Sequence, residues 1–311
     1  QKKGFWDMDF ILKTTDLCKN FKGQMAVDHV SLNIRRNSIY GLLGPNGAGK
    51  STFLGALWNS VNQKEIHTEL TLKKMVGDSQ YLYRLEQKWL EVERLERTVI
   101  GQEKEKLSVL LTNGVDDLEV EFPDLSGETF QNIYESREIS FELWDKISKA
   151  DAILYFINVE DIHSPEFISE ISPELRQEGV KLKERNPCED DPTQVQIIDL
   201  LQMVLEIRKR RTNLGIIFSA WDLVNQSEQN DVRAFLANHM NMLWQYLEAN
   251  KSVINTKVWG VSAIGGKIEE SEKLLDIEDP IKRIKIVDDK MVNSCDLTSI
   301  ILEMSGDKYD S

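Results

Sequence analysis

The stretch GLLGPNGAGKST, residues 41–52, is a glycine-rich run that ends in Lys-Ser-Thr. It matches the pattern G-x-x-x-x-G-K-[ST], which is informative when a strand precedes it and a helix follows it. SIYGLL, residues 38–43, has the apolar character of a buried strand that enters the glycine loop. TFLGALWNS, residues 52–60, has the pattern of a helix that leaves the loop. The motif therefore has the preceding strand and the following helix that make it informative.

This motif predicts a loop that binds the phosphates of a nucleotide. Glycines let the backbone fold around a phosphate, so that successive N–H groups and the positive end of the following helix point at the anion. Lys50 adds a positive charge for the β- and γ-phosphates, and the Ser51 hydroxyl is a suitable Mg²⁺ ligand. The residues of the loop that we expect to contact the nucleotide are Gly44, Asn46, Gly47, Ala48, Gly49, Lys50, Ser51 and Thr52.

Length and composition limit the class of protein. A chain of 311 residues can bury one large core, and we expect one domain with insertions. The chain has 38 basic and 52 acidic residues, and its net charge of −14 argues against nucleic acid as a partner. The three cysteines are widely separated, as expected for thiols in a reducing cytosol. We find neither a signal peptide nor a long apolar run, which predicts a cytoplasmic protein without membrane insertion.

The order of apolar runs predicts an α/β fold with a mostly parallel sheet and helices on both faces. Residues 106–113 and 117–122 flank Gly114 and predict a hairpin of two strands. Three further strands are predicted at residues 152–159, 213–219 and 256–261, and helical patterns cover residues 194–211 and 231–250.

The chain is predicted to divide into three parts. These are an N-terminal β segment at residues 1–37, a main domain at 38–266 and a C-terminal tail at 267–311 with a helix through LTSIILEM. Two insertions interrupt the main domain, at residues 61–97 and 163–192. A helix is expected over residues 79–97 of the first insertion. We interpret it as packing on a neighbouring helix, with binding of an effector protein as the alternative.

Residues 11–52 closely resemble the start of an ABC-transporter ATP-binding subunit. The resemblance implies that Phe21 stacks on adenine and that the stretch up to the glycine loop forms an antiparallel β segment. The later motifs of that family are missing, since no LSGGQ sequence and no strand ending in Asp-Glu follow. Residues 125–128 read LSGE, and we expect them to follow a strand without opening a helix.

The order of motifs over residues 40–266 resembles a Ras-like P-loop GTPase, and most closely the bacterial double-GTPase family. Asp124 and Gly127 match the Asp-x-x-Gly motif of these proteins, directly after the strand DLEVEF. The resemblance implies that Asp124 reaches Mg²⁺ through water and that the Gly127 N–H holds the γ-phosphate. A hairpin precedes the motif and the strand at residues 152–159 follows it, as in a GTPase.

Two more residues take part in catalysis according to this resemblance. Glu128 stands where many GTPases carry a glutamine that orients the attacking water, and we predict the same role for its carboxylate. A solvated acid of a switch loop remains the alternative. Thr98 precedes Asp124 by one hairpin, which suits the switch threonine that binds Mg²⁺ and the γ-phosphate. Arg94 and Arg97 are candidates for an arginine finger in cis, although a solvated helix face explains both more simply.

Recognition of the base is predicted from Ser219-Ala-Trp-Asp222, where GTPases carry Asn-Lys-x-Asp. An aspartate there accepts two hydrogen bonds, from the N1–H and the 2-amino group of guanine, and adenine cannot offer this pair. Asp222 is therefore the predicted guanine reader. Ala220 departs from the family pattern, because a lysine stem normally covers the base. We interpret Trp221 as a core residue, with stacking on the base as the alternative.

The stretch SAIGG, residues 262–266, resembles the loop whose backbone N–H contacts the guanine O6, and Ser262 and Ala263 are its predicted site residues. The combined motifs predict Mg²⁺-dependent binding and hydrolysis of GTP, as a switch that a partner protein or subunit reads. Peripheral membrane association would occur only through such a partner. Two alternatives remain open, an ABC-type subunit that binds and hydrolyses ATP, and a module that holds nucleotide without turnover.

Overall fold

The computed structural model describes residues 10–21, 24–35, 38–45, 47–63, 67–77, 79–93, 107–122, 127–165 and 186–306. Strands β1 (Phe10–Phe21) and β2 (Gln24–Arg35) form a separate two-stranded antiparallel sheet. A nine-stranded sheet forms the centre of the remaining chain. Its strands are β3 (Ser38–Leu43), β4 (Thr71–Val76), β5 (Leu107–Thr112), β6 (Asp117–Phe122), β7 (Ala152–Asn158), β8 (Thr212–Ser219), β9 (Ile254–Ser262), β10 (Lys285–Asp288) and β11 (Asn293–Ser294).

The large sheet is mixed. Its strand order is β11-β10-β9-β8-β7-β3-β6-β5-β4. The central strands β9, β8, β7, β3 and β6 are parallel. Two antiparallel strands, β10 and β11, extend the sheet beyond β9, and two more, β5 and β4, extend it beyond β6. The predicted strands and the β5–β6 hairpin are confirmed. Because the carboxyl ends of parallel strands lie at one edge, the loops after β3, β7, β8 and β9 emerge side by side.

Ten α-helices are described. They are α1 (Lys50–Asn62), α2 (Ser79–Leu90), α3 (Gly127–Ser136), α4 (Phe141–Lys149), α5 (Pro187–Asp190), α6 (Thr193–Arg208), α7 (Val232–His239), α8 (Asn241–Ala249), α9 (Ser271–Leu275) and α10 (Leu297–Gly306). Short 3₁₀ helices follow β7 and β8, at Val159–Asp161 and Trp221–Leu223. None of these described helices has both the length and the apolar character that a bilayer span requires.

Helices cover both faces of the sheet, as predicted. Strand β7 shows the arrangement, because the side chains from Ala152 to Ile157 are all buried, as expected for a central parallel strand. Leu154 and Phe156 pack in one cluster with apolar side chains of α1, α2 and α10. Ile153 and Tyr155 pack in a second cluster with side chains of α4, α6, α7 and α8. The predicted α/β fold class is confirmed.

The structure corrects several local predictions. Strand β4 lies inside the stretch that was predicted to be an insertion, and no strand was predicted there. Helix α2 ends at Leu90, earlier than expected. The helical pattern over residues 231–250 forms two helices, because Met240 between them has φ −135° and ψ 53°. Helix α3 begins at Gly127, so the expectation that LSGE opens no helix was wrong.

The C-terminal residues also contribute to the central sheet and its core. Strand β10 pairs antiparallel with β9. Helix α10, at the stretch LTSIILEM, contributes Ile300, Ile301 and Met304 to the cluster that also contains α1. Helix α1, which begins at Lys50 of the glycine motif, therefore packs against α10.

Candidate functional site

The loop after β3 has a backbone that only glycine accommodates at two positions. Gly44, Gly47 and Gly49 have φ values of +143°, +79° and +80°, which residues with a side chain rarely adopt. A β-carbon on Gly44 would lie 2.6 Å from the carbonyl oxygen of Phe156. A β-carbon on Gly49 would lie 2.7 Å from the β-carbon of Ser219. Both distances are shorter than van der Waals contact, so the loop requires glycine there.

Lys50 is the first residue of α1, and its side chain bends back over this loop. Its Nζ donates hydrogen bonds to the carbonyl oxygens of Gly44 and Pro45, the second at 3.3 Å. Ser51 and Thr52 are half-buried in the first turn of the helix. The first N–H groups of a helix have no partner within it and carry a partial positive charge. An ammonium group and a helix N-terminus therefore face the same loop, an arrangement suited to phosphate.

Strand β7 brings a polar side chain to the loop that sequence reasoning missed. The Nδ2 of Asn158 donates to the carbonyl oxygen of Gly47 at 3.3 Å and to Asp161 Oδ2 at 3.2 Å. The position of Asn158 at the end of a predicted strand was the available signal, because that strand ends at the same edge as β3. Asn158 therefore ties the glycine loop to the neighbouring strand end.

Strand β8 brings the predicted base-reading motif to the same edge. Ser219 lies beside Gly49, as described above, and Ala220 follows it with φ 55° and ψ 38°. Trp221 is 2% exposed, and a β-carbon on Gly260 would lie 2.3 Å from its ring. The interpretation of Trp221 as a core residue is confirmed. Asp222, the next residue, is half-buried.

Strand β9 ends in a residue that orients Asp222. The Ser262 hydroxyl donates a hydrogen bond to Asp222 Oδ1 and accepts one from the Gly265 N–H at 3.0 Å. Ser262 and Ala263 are both buried. The hydroxyl thus joins the carboxylate to the backbone of the following loop, and it fixes where the carboxylate points. Those predicted residues of the motifs after β3, β8 and β9 that the structure describes lie at one edge of the sheet.

One further contact at this edge was not predicted. The indole Nε1 of Trp89, near the end of α2, donates to the carbonyl oxygen of Ala263 at 2.7 Å. The predicted packing of this helix on a neighbour is confirmed, since Leu82, Leu85 and Trp89 share a cluster with side chains of α1.

Several predicted site residues cannot be placed in the same way. Asn46, Arg94, Arg97, Thr98 and Asp124 lie outside the described residues. Gly127 and Glu128 are described as the first residues of α3, at the level of the backbone. These roles stay predictions.

Asp222 and Ser262 also line a cavity of about 670 Å³. The rest of its lining comes from the loops after β8 and β9 and from β10 and β11, including Lys267, Lys285 and Asn293. Since the described residues of the glycine loop do not line it, we do not assign this cavity to the phosphates.

A short part of the chain is similar to ATP-binding proteins of transport systems. The chain is 46% identical over 66 residues to the bacitracin transport ATP-binding protein BcrA of Bacillus licheniformis, which is 20% of this chain and 22% of that protein. It is 41% identical over 59 residues to the galactose/methyl galactoside import ATP-binding protein MglA of Pasteurella multocida, 19% of this chain and 12% of that protein. The chain thus spans under a quarter of the length of these two relatives.

The solved structures to which the chain is similar include a G domain and a small GTPase. The G domain of the FeoB iron transporter of T. maritima is 15% identical, with a TM-score of 0.33, over 78% of this chain and 98% of that domain. The small GTPase Arl6 of Trypanosoma brucei is 12% identical, with a TM-score of 0.37, over 77% of this chain and 95% of its own.

A family profile covers far more of the chain than these short matches do. The profile described as Double-GTPase 1 matches residues 41–304. That match begins in β3, includes the motifs after β3, β8 and β9, and ends in α10. The chain belongs to the double-GTPase family.

Proposed function

We propose that the protein binds GTP together with Mg²⁺ and hydrolyses it, as a switch that a partner protein reads. One observation carries this proposal. The Asp222 carboxylate is held by the Ser262 hydroxyl at the sheet edge that also carries Lys50, and Ser219 of the same motif lies beside the glycine loop at Gly49. Membership of the double-GTPase family supports GTP as the nucleotide.

The chemistry of Asp222 fits guanine. An ionised carboxylate has two oxygens with about four acceptor sites, so the bond from Ser262 leaves acceptors for the guanine N1–H and 2-amino group. Adenine has no N1–H and carries its amino group at another position. Hydrogen bonds to a charged group contribute about 1.5–3 kcal/mol each. Two such bonds would therefore distinguish guanine from adenine by a large factor.

Mg²⁺ fits the site through oxygen ligands. The Ser51 hydroxyl stands in the first turn of α1, directly after Lys50, and we propose it as a ligand together with Thr98 and, through water, Asp124. Within the described residues no cluster of three or more His, Cys, Asp or Glu side chains is able to hold a metal alone. The ion would bind together with the phosphates, where it would neutralise charge that develops during transfer.

The switch would consist of the segments that contact the γ-phosphate. Thr98 follows α2 in the chain, and Gly127 and Glu128 begin α3. Loss of the γ-phosphate on hydrolysis would release both segments, and a partner that binds them would read the nucleotide state.

The guanine assignment is tested by Asp222→Asn. An amide donates where the carboxylate accepts, so we expect GTP to bind about 100-fold more weakly and xanthosine triphosphate to bind better than in the wild type. Titration of fluorescent analogues of both nucleotides measures this change. The control is Asp116→Asn, in the turn of the β5–β6 hairpin at the opposite edge of the sheet. An unchanged affinity of Asp222→Asn for GTP would overturn the assignment.

Binding of ATP is the second candidate function. The short matches to ATP-binding transport subunits favour it, and adenine would then stack on Phe21. Titration of the purified protein with fluorescent GTP and ATP, with and without Mg²⁺, separates the two candidates. We expect GTP to bind more tightly, and tighter binding of ATP would reverse the proposal.

Turnover requires its own test, because a module that only holds GTP would also pass the binding tests. We expect phosphate release by the wild type and slower release by Lys50→Ala and Glu128→Ala, since the first removes a phosphate-binding charge and the second the residue proposed to orient water. Identical release by all three proteins would contradict hydrolysis at this site.

A further inference from the structure

Helix α2 contacts both α1, the helix that begins with Lys50, and the loop after β9. It packs closely on α1, since a β-carbon on Gly55 would lie 2.8 Å from the carbonyl oxygen of Leu85. A buried hydrogen bond of 2.8 Å joins Asn59 of α1 to Glu86 of α2. Toward the base, Trp89 contacts the loop after β9. One helix thus connects the helix that begins with Lys50 to the loop predicted to meet the base.

The contact of Trp89 with this loop is buried and specific. The side chain is 1% exposed, and its indole N–H donates to the carbonyl oxygen of Ala263 at 2.7 Å. Buried hydrogen bonds of this kind fix geometry, because breaking one leaves a polar group without a partner in an apolar environment. The carbonyl of Ala263 is therefore held in one direction.

Arg283 also holds Trp89 in place. Its guanidinium lies 4.6 Å from the centre of the Trp89 ring and donates to the carbonyl oxygens of Trp89 and Leu90, at 3.2 and 3.3 Å. These are the carbonyls at the end of α2, where a cation is favourable. A β-carbon on Gly265 would lie 2.2 Å from the Arg283 carbonyl oxygen. Trp89 and Arg283 thus contact each other, and both contact the loop after β9.

A fixed carbonyl also fixes the N–H of the next residue. The described residues contain no cis peptide bond, and in a trans peptide the carbonyl and the following N–H point in opposite directions. With the Ala263 carbonyl directed at α2, the Ile264 N–H points away from that helix. The predicted donors to the guanine O6 are backbone N–H groups at Ser262 and Ala263, directly before this peptide, so the held carbonyl also fixes the course of the backbone that carries them.

We propose that Trp89 is a positioning residue for guanine specificity, which holds the loop after β9 so that its backbone N–H groups meet the O6 of the base. This inference rests on the proposed function, since it assumes that the loop contacts guanine. Trp89 acts through the loop and touches no nucleotide itself. Sequence distance hides this role, because 174 positions separate Trp89 from Ala263.

The test removes the indole donor and varies the acceptor on the base. Trp89→Phe keeps an aromatic ring but has no N–H. We expect this variant to bind GTP about fivefold more weakly, the usual effect of one neutral hydrogen bond. Inosine triphosphate keeps O6 and should weaken by the same factor. 6-Thioguanosine triphosphate carries sulfur, a weaker acceptor, in place of O6, and its affinity should change little.

A matched control separates this role from a general loss of packing. Trp58 of α1 is also buried, at 3% exposed, and among the described residues its Nε1 has no hydrogen-bond partner. Trp58→Phe should leave the ratio of GTP to 6-thioguanosine triphosphate affinity unchanged. If Trp89→Phe does not fold, benzothienylalanine at position 89 replaces the N–H by sulfur and preserves the shape of the ring.

The outcomes distinguish the inference from the function on which it rests. Equal weakening of all three nucleotides, or no weakening of any, by the change at position 89 would overturn the role of Trp89. A wild-type protein that binds ATP as tightly as GTP would overturn the guanine assignment itself.

Discussion

The phosphate half of the proposed site, residues 44–52, and the base half, residues 219–222 and 262–265, are built differently. The phosphate half is one continuous segment, and its shape follows from positive φ angles at glycines and from the start of α1. The base half joins two strand ends that are distant in sequence, through the bond from Ser262 to Asp222. Backbone conformation within one segment shapes the first half, to which Phe156, Asn158 and Ser219 add contacts. The second half exists only through a bond between distant segments.

The difference between the halves implies different consequences of substitution. A change in the phosphate half should weaken every nucleoside triphosphate, because all of them share the phosphates. A change in the base half should alter which nucleotide binds. The halves meet where Gly49 approaches Ser219, so this contact is the place at which the distinction is most directly tested.

The largest effect is expected for Gly49→Ala. Its φ of +80° and the 2.7 Å approach of a β-carbon to Ser219 both disfavour alanine. Strain of about 3 kcal/mol would weaken GTP and ATP alike, on the order of 100-fold, as measured by fluorescence titration. Gly114→Ala is the control, because Gly114 has φ +86° but no heavy atom within 4 Å of such a β-carbon. A loss for GTP alone would show that the halves are not separate.

Adding Ser219→Gly to Gly49→Ala should restore part of the affinity, since it removes the side chain that the new β-carbon meets. The backbone strain at position 49 would remain, so full recovery is not expected. No recovery at all would mean that the clash with Ser219 contributes little.

A smaller and selective effect is expected for Ser262→Ala. The substitution removes the hydroxyl that Asp222 and the Gly265 N–H share, and about 1.4 kcal/mol corresponds to a tenfold loss of GTP affinity. ATP affinity should stay the same. Ser60→Ala is the control, since Ser60 is equally buried and its hydroxyl bonds to the carbonyl of Ala56 at 2.8 Å, within α1. Equal losses for GTP and ATP would assign Ser262 to the fold instead of the base.

The smallest effect is expected for Ala220→Lys. An apolar lysine stem over the base would bury about one or two methylene groups, which corresponds to about fivefold tighter GTP binding. Ala220→Gly is the matched control, because it relieves the φ of 55° without adding a stem. The glycine variant should raise the unfolding midpoint in urea and leave GTP affinity unchanged. If both variants bind GTP equally well, the stem does not cover the base.

The local features of the molecule were predictable from sequence. The glycine loop lies between strand β3 and helix α1 because contiguous residues encode that conformation. Strand β7 was recognisable as an unbroken apolar run, the pattern of a parallel strand with both faces buried. The predicted alignment of Asp222 and Ser262 agrees with the bond between them.

Other features depend on tertiary contacts and were missed. Strand β4 reads TLKKMV, and its two adjacent lysines break the alternation expected of a strand. Its pairing with β5 also shifts register between Leu72 and Lys74. The break at Met240 could not be predicted, since neither glycine nor proline occurs there and the apolar spacing continues through α7 and α8. The bond from Trp89 to Ala263 joins an expected insertion to a predicted site loop, and no pattern within either segment reveals it.

The close approach of Gly49 to Ser219 also constrains how such proteins can diverge. A larger side chain at position 219 needs a glycine loop that stands further away, and a loop of different shape needs another residue at position 219. The two positions are therefore expected to change together among homologues. Chimeras that exchange the segment after β3 without the end of β8 should lose nucleotide binding, whereas an exchange of both segments should retain it.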